Sequence, residues 1–531
     1  MKRRDFLFNT IPAAALLPEV IDGYSVKAFN INSPLVQALM RGNLLTDHVL
    51  VIVQLAGGND GVNTVIPVSQ YSNYFNARSN VAIPENRVLS IPGVSGTGLH
   101  PAMTGLQALF NEGKAKLIQS VGYPQPNFSH FRATDIWMSA SNSNQEVYSG
   151  WAGRYLNYEF PNFPTGYPNP DAPDPLAIQI GSTTTLTTQG PVVNMAMSIT
   201  NPTTFYNLIS GVTDPVPNTP AGKELSFIRT VNQQTQKYAT EIRAAANNVP
   251  VQGTYPANNS LADQLRIVAR LIKGGLKTRV YMVSFGGFDT HSLQTGADTT
   301  TGTHATLLQR VSDAIKAFQD DLRGLGVEER VIGMTYSEFG RRIKSNSSTG
   351  TDHGSGAPMF LFGSSVEPGM LGVNPTIPVN ANVNDNVPMQ YDFRSVYATV
   401  LEKWFCLDKT TVNSLFPPNV NTQLQSLPLI KAGVCTGVAP PPPPNRVKVL
   451  YNHPHPFDSQ TYIYFKTEGG HTLVQVFDTL GRVVATLLEK DYAGPMEDRV
   501  EFKAENLPTG IYYARLQNGV EQHVWPMLKV R

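Results

Sequence analysis

Arg330-Val331-Ile332-Gly333-Met334-Thr335-Tyr336 runs directly into Ser337-Glu338-Phe339-Gly340, and soon afterwards Gly350-Thr351-Asp352-His353-Gly354-Ser355-Gly356-Ala357-Pro358 leads into Met359-Phe360-Leu361-Phe362-Gly363. A short apolar run with no polar alternation is the pattern of a strand buried on both faces. The first run stops at a carboxylate and a glycine. The second begins after an acid and an imidazole set side by side in a glycine-rich turn. Open α/β sheets gather ligands at the carboxyl ends of their strands. Strand, acidic turn, His-bearing loop and strand therefore predict an α/β sheet with a metal-site edge.

The same grammar recurs upstream. His48–Leu55 is a β-branched-rich run ending in Gly57-Gly58-Asn59-Asp60-Gly61. This turn has neither the spacing of a dinucleotide fingerprint nor the lysine of a phosphate loop. Asp60 is its one charge, and Asn-Asp-Gly is by itself a good turn. Ala115–Gly122 reads as a further strand, followed by Asn127-Phe128-Ser129-His130-Phe131-Arg132. Ser129 falls where a helix would start. Taken alone it reads first as a helix cap; the position also suits a nucleophile, because helix N–H groups and Arg132 would favour an anion there. Thr278–Phe285 ends in Gly286-Gly287-Phe288-Asp289-Thr290-His291, and an Asp and a His two apart can ligate one metal ion. Helices are predicted at Thr104–Lys114, Leu261–Gly274, Ala305–Leu322 and from Asp392 to Trp404, with a polar helical region around Leu225–Asn247. His304 reads as a cap-region residue.

Length and composition bound the rest. A chain of 531 residues is too long for one ordinary domain. Forty-one basic residues against 40 acidic ones leave no surplus for nucleic acid. Charged residues are only 15%, which suits an exported protein better than a cytosolic one. Cys406 and Cys435 lack metal-ligand spacing; they either pair in an oxidising compartment or stay as buried thiols. No run of 18 apolar residues exists, so no membrane span is expected. Lys2-Arg3-Arg4-Asp5-Phe6-Leu7 resembles a twin-arginine export signal. Pro440–Pro444 is an extended spacer and the clearest domain boundary. Beyond it about seven short alternating strands point to a β-sandwich.

Two resemblances sharpen these readings. Asn452-His453-Pro454-His455-Pro456-Phe457, Val476-Phe477-Asp478-Thr479-Leu480-Gly481-Arg482 and Leu507-Pro508-Thr509-Gly510-Ile511-Tyr512-Tyr513 resemble the C-terminal sorting domain of the type IX secretion system of Bacteroidota, with Pro-His-Pro-Phe where that family usually has Pro-Asn-Pro-Phe. The body resembles the DUF1501 family through residues 57–61, 288–291, 337–342 and 350–354. That family is similar to the alkaline phosphatase and sulfatase superfamily. The resemblance implies an alkaline phosphatase-like three-layer α/β sandwich with a mainly parallel central sheet, followed by a small all-β sandwich. The divisions expected are an export signal at 1–30, the DUF1501 body at 40–435, a Pro-rich linker at 436–445 and the sorting domain at 446–531.

It also implies a site. Asp60 matches a first-strand metal ligand, Ser129 the nucleophile, and Asp289 with His291 the ligands of one metal, although the superfamily separates that pair by three residues rather than one. The Asp352-His353-Gly354 letters match the superfamily's Asp-His-Gly. Strand context instead assigns that place to Glu338, with His353 as a later ligand and Phe339 where a ligand His is expected. Two divalent cations (zinc, calcium or magnesium) would then bridge a small anionic ester, with Arg132, or Arg341 and Arg342, holding its free oxygens. The implied activity is hydrolysis of phosphate or sulfate esters. The alternative is a degenerate member serving as a secreted binding or surface protein. Implied partners are a twin-arginine or general secretory translocon and the type IX machinery, and the destination is the cell surface or medium.

Overall fold

A computed structural model describes residues 20–21, 24–25, 46–201, 238–417, 420, 424–435 and 448–530, less residues 162, 165–166, 170–171, 250, 468, 479–481 and 519–520. The twin-arginine-like start, the first part of the polar helical region and the Pro-rich spacer lie outside the described residues. The chain divides into two compact units, the body from Leu45 to Val438 and a second unit that contains the tail from Ala439.

Eleven of the body's strands form the main sheet and the hairpin beside it: β1 (Val49–Ala56), β2 (Ala115–Gly122), β3 (Ala177–Ile180), β4 (Ala196–Ile199), β5 (Val280–Gly286), β6 (Val331–Tyr336), β7 (Arg341–Ser345), β8 (Thr351–His353), β9 (Ala357–Phe362), β10 (Gly369–Leu371) and β11 (Tyr391–Asp392). Nine of them form one sheet in the order β10-β2-β9-β6-β1-β5-β3-β4, with β11 also paired to β2. β1 lies between β5 and β6, parallel to both, with Leu50 opposite Val280 and Ile332. β9 is the exception, antiparallel to β6 and to β2.

Successive side chains of a strand point to opposite faces, and β1 shows why this sheet needs two helical layers. Leu50 and Ile52 pack in one core with Ile136, Trp137, Tyr155 and Val396. Val49, Val51 and Val53 pack in another with Leu106, Leu265, Leu308 and Ile315. The first core is capped by α3 (His130–Ser139), α4 (Trp151–Glu159) and α7 (Phe393–Lys403); the second by α2 (Thr104–Asn111), α5 (Ser260–Lys273) and α6 (Thr303–Gly324), while α1 (Tyr71–Arg78) sits on a smaller cluster with Ile343. The result is the expected mainly parallel sheet between two helical layers.

Two features depart from the sequence reading. His353 does not lie on an edge of the main sheet: β7 and β8 make a separate antiparallel hairpin with Arg341 opposite His353. Also, the strand after Pro358 enters the sheet against the parallel direction, which brings its amino end to the edge where β1, β2, β5 and β6 finish. Cys406 and Cys435 are disulfide-bonded.

In the tail, seven strands form two antiparallel sheets. β12 (Lys448–His453), β13 (Gln460–Thr467) and β16 (Met496–Lys503) make one, in that order; β15 (Val483–Tyr492), β14 (Gly470–Phe477), β17 (Gly510–Asn518) and β18 (Glu521–Lys529) make the other. β13 alternates buried and half-buried positions, so Ile463 and Phe465 meet Val474, Val476 and Phe502 in a single core. Among the described residues no helix is long and apolar enough to cross a membrane.

Candidate metal centre

The loops leaving β2 and β5 and the hairpin after β6 bring four side chains to one point. His130 opens α3, and its Nε2 lies 3.4 Å from Asp289 Oδ2. His291 Nε2 and His353 Nε2 lie 3.1 Å and 3.2 Å from Asp289 Oδ1, and 2.9 Å from each other. His130, Asp289 and His353 offer ligand atoms that all lie within 4.8 Å of one another.

Behind each imidazole stands a partner for the other ring nitrogen. His130 Nδ1 is 2.8 Å from Glu338 Oε1, His291 Nδ1 is 3.1 Å from Asp352 Oδ1, and His353 Nδ1 is 2.8 Å from the Phe128 carbonyl. A carbonyl can only accept, so His353 Nδ1 carries the proton. Burial disfavours the imidazolium and lowers the pKa of His353. Its Nε2 therefore presents a lone pair, and that lone pair faces a carboxylate oxygen. Burial works against the charge of Asp289, but the Arg341 guanidinium and the neighbouring imidazoles outweigh it and take the carboxyl down to about 2. Acceptors thus converge on acceptors. Such a set is stable around a cation, and imidazole nitrogens backed by carboxylates or carbonyls are the usual environment of a metal-binding histidine. Three nitrogens and one carboxylate are a donor set that suits a divalent cation.

Residues 47–416, more than half of the chain, match the family described as protein of unknown function DUF1501. The chain belongs to the DUF1501 family. Residues 452–527 match a secretion system C-terminal sorting domain, so this DUF1501 chain is directed to the cell surface or extracellular space by type IX secretion. No curated protein sequence matches it. Similar solved structures include a sulfatase from Pseudoalteromonas sp., at 11% identity with 87% of each chain covered and a TM-score of 0.30. Ps i-CgsB in complex with k-i-k-neocarrahexaose matches at 10% identity, over 79% of this chain and 83% of the other, TM-score 0.32. A protein from the metabolism of multiple glycosaminoglycans by Bacteroides thetaiotaomicron matches at 9% identity, over 86% and 90%, TM-score 0.33. The chemistry of the DUF1501 body has to be read from its own residues.

Of the residues singled out in the sequence, Asp289, His291 and His353 meet at the centre. Glu338 and Asp352 stand one layer behind, each holding an imidazole. Glu338 is buried and also accepts the Gly57 N–H at 2.8 Å. Phe339 forms the floor, its ring centroid 4.8 Å from that of His130 and 4.4 Å from that of His353. Ser129 is the N-terminal cap of α3, but its side chain makes no capping bond and it is exposed, between Phe128 and His130. His130 was passed over in the sequence because its neighbour had the recognisable cap chemistry; the available signal was an imidazole one residue past a strand-end loop.

Asp60, Arg132 and Arg341 are brought elsewhere or are already engaged. Asp60 is fully buried, with Arg78 Nη1 at 2.9 Å and 2.8 Å from its two oxygens and Gln294 Nε2 at 2.7 Å. Arg132 donates to the carbonyls of Asn142, Ser143 and Gln145. Arg341 is buried and donates to the carbonyls of Gly57, Gly58, Phe288 and Thr351 as well as to Asp289.

A pocket of about 350 Å³ opens beside the cluster, lined by His291, Asp352 and His353 together with Phe128, Arg342, Val383 and Asn384. Arg342 donates from Nε to the His353 carbonyl and from Nη1 to the Val383 carbonyl and Asn384 Oδ1. Its guanidinium stands 5.9 Å from the centre of the Phe128 ring. Among the described residues its Nη2 has no partner, which leaves one cationic edge for a ligand. A second pocket, of about 620 Å³ around Pro92–Ser95, Phe110 and Pro368–Met370, has no titratable lining residue.

Proposed function

We propose that this exported DUF1501 chain is a metal-dependent hydrolase of sulfate or phosphate monoesters, working with one divalent cation held by His130, Asp289, His291 and His353. The observation that carries the reading is the convergence of three imidazole Nε2 atoms on one carboxylate, with each Nδ1 tied to an acceptor. A cation bound there supplies a Lewis acid beside the ester. Asp60 is neutralised by Arg78, and this supports one cation rather than two. Ser129 is the nucleophile: its hydroxyl is free, exposed, next to a ligand residue and at a helix N-terminus that favours developing negative charge. Arg342, rather than Arg132 or Arg341, grips the anionic oxygens through its free edge. Glu338 and Asp352 orient imidazoles.

The test is metal content together with turnover of 4-nitrophenyl sulfate and 4-nitrophenyl phosphate. The expected result is one divalent ion per chain, lost in His353→Ala and kept in Ser129→Ala, with turnover lost in both. A native chain that takes up no divalent ion ends the proposal. The engagement of Arg132 and Arg341 in structural bonds favours a second reading, a metal-bearing binding protein without turnover; metal uptake without hydrolysis of any ester would select it.

A further inference from the structure

Behind the hairpin lies a guanidinium that bonds to none of the four converging side chains. Arg78 closes α1, and its side chain and that of Asp60 are wholly buried. Its N–H groups go to five oxygens. Nη1 donates to both carboxylate oxygens of Asp60 and, at 3.1 Å, to Asn63 Oδ1. Nε donates to the Ile343 carbonyl at 2.9 Å and Nη2 to the Arg342 carbonyl at 2.6 Å. The cluster beneath α1 is otherwise apolar, with Val62, Ala77, Ile343 and Ile377. Taking two charges out of water costs so much that apolar side chains of the same volume often stabilise as well or better. What apolar side chains lack is a rigid fork of donors, and here that fork is aimed at two main-chain carbonyls.

Those carbonyls need a partner from outside the hairpin. β7 and β8 pair at Arg341 with His353 and at Ser345 with Thr351, and the register shifts between the two. Across that irregular stretch Ile343 sends its N–H to the Asp385 carbonyl at 3.0 Å and its carbonyl to Arg78. A break in a ladder re-aims a side chain. The side chain here is Arg342, which lines the pocket and has no partner for Nη2 among the described residues. Asp60 is anchored from its far side by Gln294 Nε2 at 2.7 Å. Gln294 in turn accepts from Thr290, next to Asp289, and from Thr351, next to Asp352. The fork is thereby set in register with the loops of the centre.

The geometry points to Arg78 as a positioning residue: it holds the backbone of the irregular stretch so that the free edge of Arg342 meets an oxyanion in the pocket. Asp60 fixes the fork that does this. The inference rests on reading Arg342 as the anion grip, and calorimetry with an inorganic anion tests it apart from turnover.

The full chain, with and without zinc, is titrated with inorganic sulfate. Arg78→Lys keeps a charge beside Asp60 but loses the fork, and it is expected to weaken sulfate binding about tenfold at unchanged zinc content. Arg342→Ala should lose a similar factor. The double variant should lose no more than either alone, because a positioning residue has nothing to act through once its target is gone. An Arg78 that serves only general stability would instead give the product of the two losses. Asp60→Asn with Arg78→Met removes both charges together, so that no lone ion stays buried; it is expected to fold and to show the same loss as Arg78→Lys, and it carries the test should the lysine variant fail to fold. Native sulfate affinity in the Arg78 variants or in Arg342→Ala, multiplicative losses, or no sulfate binding by the native chain overturns the inference. Sulfate binding that depends on both arginines in a chain that turns over no ester upholds it and removes the hydrolase reading instead. Ester turnover with sulfate binding indifferent to Arg78 removes this inference alone.

Discussion

At the scale of single residues, the centre shows how one hydrogen bond sets the use of an imidazole. Glu338 reads in the sequence as a ligand because it ends a buried strand. In the fold it accepts from His130 and Gly57 and fixes the ring of a residue proposed to hold the cation. Partners of this kind are worth about 10–100-fold in metal affinity. Glu338→Gln keeps an acceptor but removes the charge, and it should weaken zinc binding about tenfold in competition with a chelator; unchanged affinity would remove Glu338 from this role. Strand-end position singled out Asp289, His291 and Glu338, and the glycine-rich turn before the next apolar run singled out Asp352 and His353. Which of them face the centre was not legible, because that depends on partners far along the chain. Asp60 and Arg341 carry the same charges in any context, and only Arg78 and the carbonyls of residues 57–58 reveal that both are committed.

A second residue-scale prediction concerns acid. His304 and His100 are buried; desolvation lowers them to about 4 and about 3 respectively. Their folded pKa values lie below the unfolded value of about 6.5. Between pH 6.5 and 4 the unfolded chain therefore binds more protons than the folded one, and stability rises with pH across that window. Denaturant midpoints of the metal-free protein should fall steadily from pH 6.5 to 4, and His304→Gln should flatten that slope. An equally steep slope in the variant would show that other groups set it.

At the scale of elements, the strands were legible and the hairpin was not. Ala115–Gly122 is a strand over the same residues in sequence and structure, and β1, β5 and β6 lie within two residues of their predicted bounds at either end, apart from the 3-10 turn that takes Arg330. Continuous burial on both faces writes itself into sequence as an unbroken apolar run. The hairpin Arg341–His353 carries no such run, because its bonds go to loops. Thr351 N–H donates to the Thr290 carbonyl, and Gln294 accepts from the hydroxyls of both Thr290 and Thr351. The loops that carry His291 and His353 are thereby closed on each other. Gly350 is the tightest point: a Cβ there would stand 2.3 Å from the His291 carbonyl carbon and oxygen. Gly350→Ala should part the loops, cost about 1–3 kcal/mol and weaken zinc binding more than Glu338→Gln does. Wild-type melting temperature and zinc affinity in this variant would contradict that account.

At the scale of the molecule, two chemistries of stabilisation coexist. The body has two extensive cores on either side of one sheet, and the tail has a single small one. The change of period from unbroken apolar runs to alternation was visible in the sequence, as was the proline tract between them. The state of Cys406 and Cys435 was left open, because their separation of 29 residues fits a crosslink and two free thiols equally well. Closing a loop of that length restricts the unfolded chain by ~3–4 kcal/mol in the entropic account. Cys435→Ser should lower the denaturant midpoint by a matching amount and make it insensitive to reductant, whereas the native protein should respond to reductant.

That crosslink also has a mechanical meaning. Cys406 follows α7 closely, and α7 is anchored in the body's core through Val396, Val400 and Leu401. Tension applied from the tail enters the body at Cys435 and passes through the sulfur bridge to Cys406, so the intervening chain, which sends Leu407, Val412, Phe416, Leu427 and Leu429 into the same core, lies outside the line of load. Traction during passage through a secretion channel would therefore be taken by a helix packed against the sheet, and the core contacts of the chain between the two cysteines would not be peeled away first.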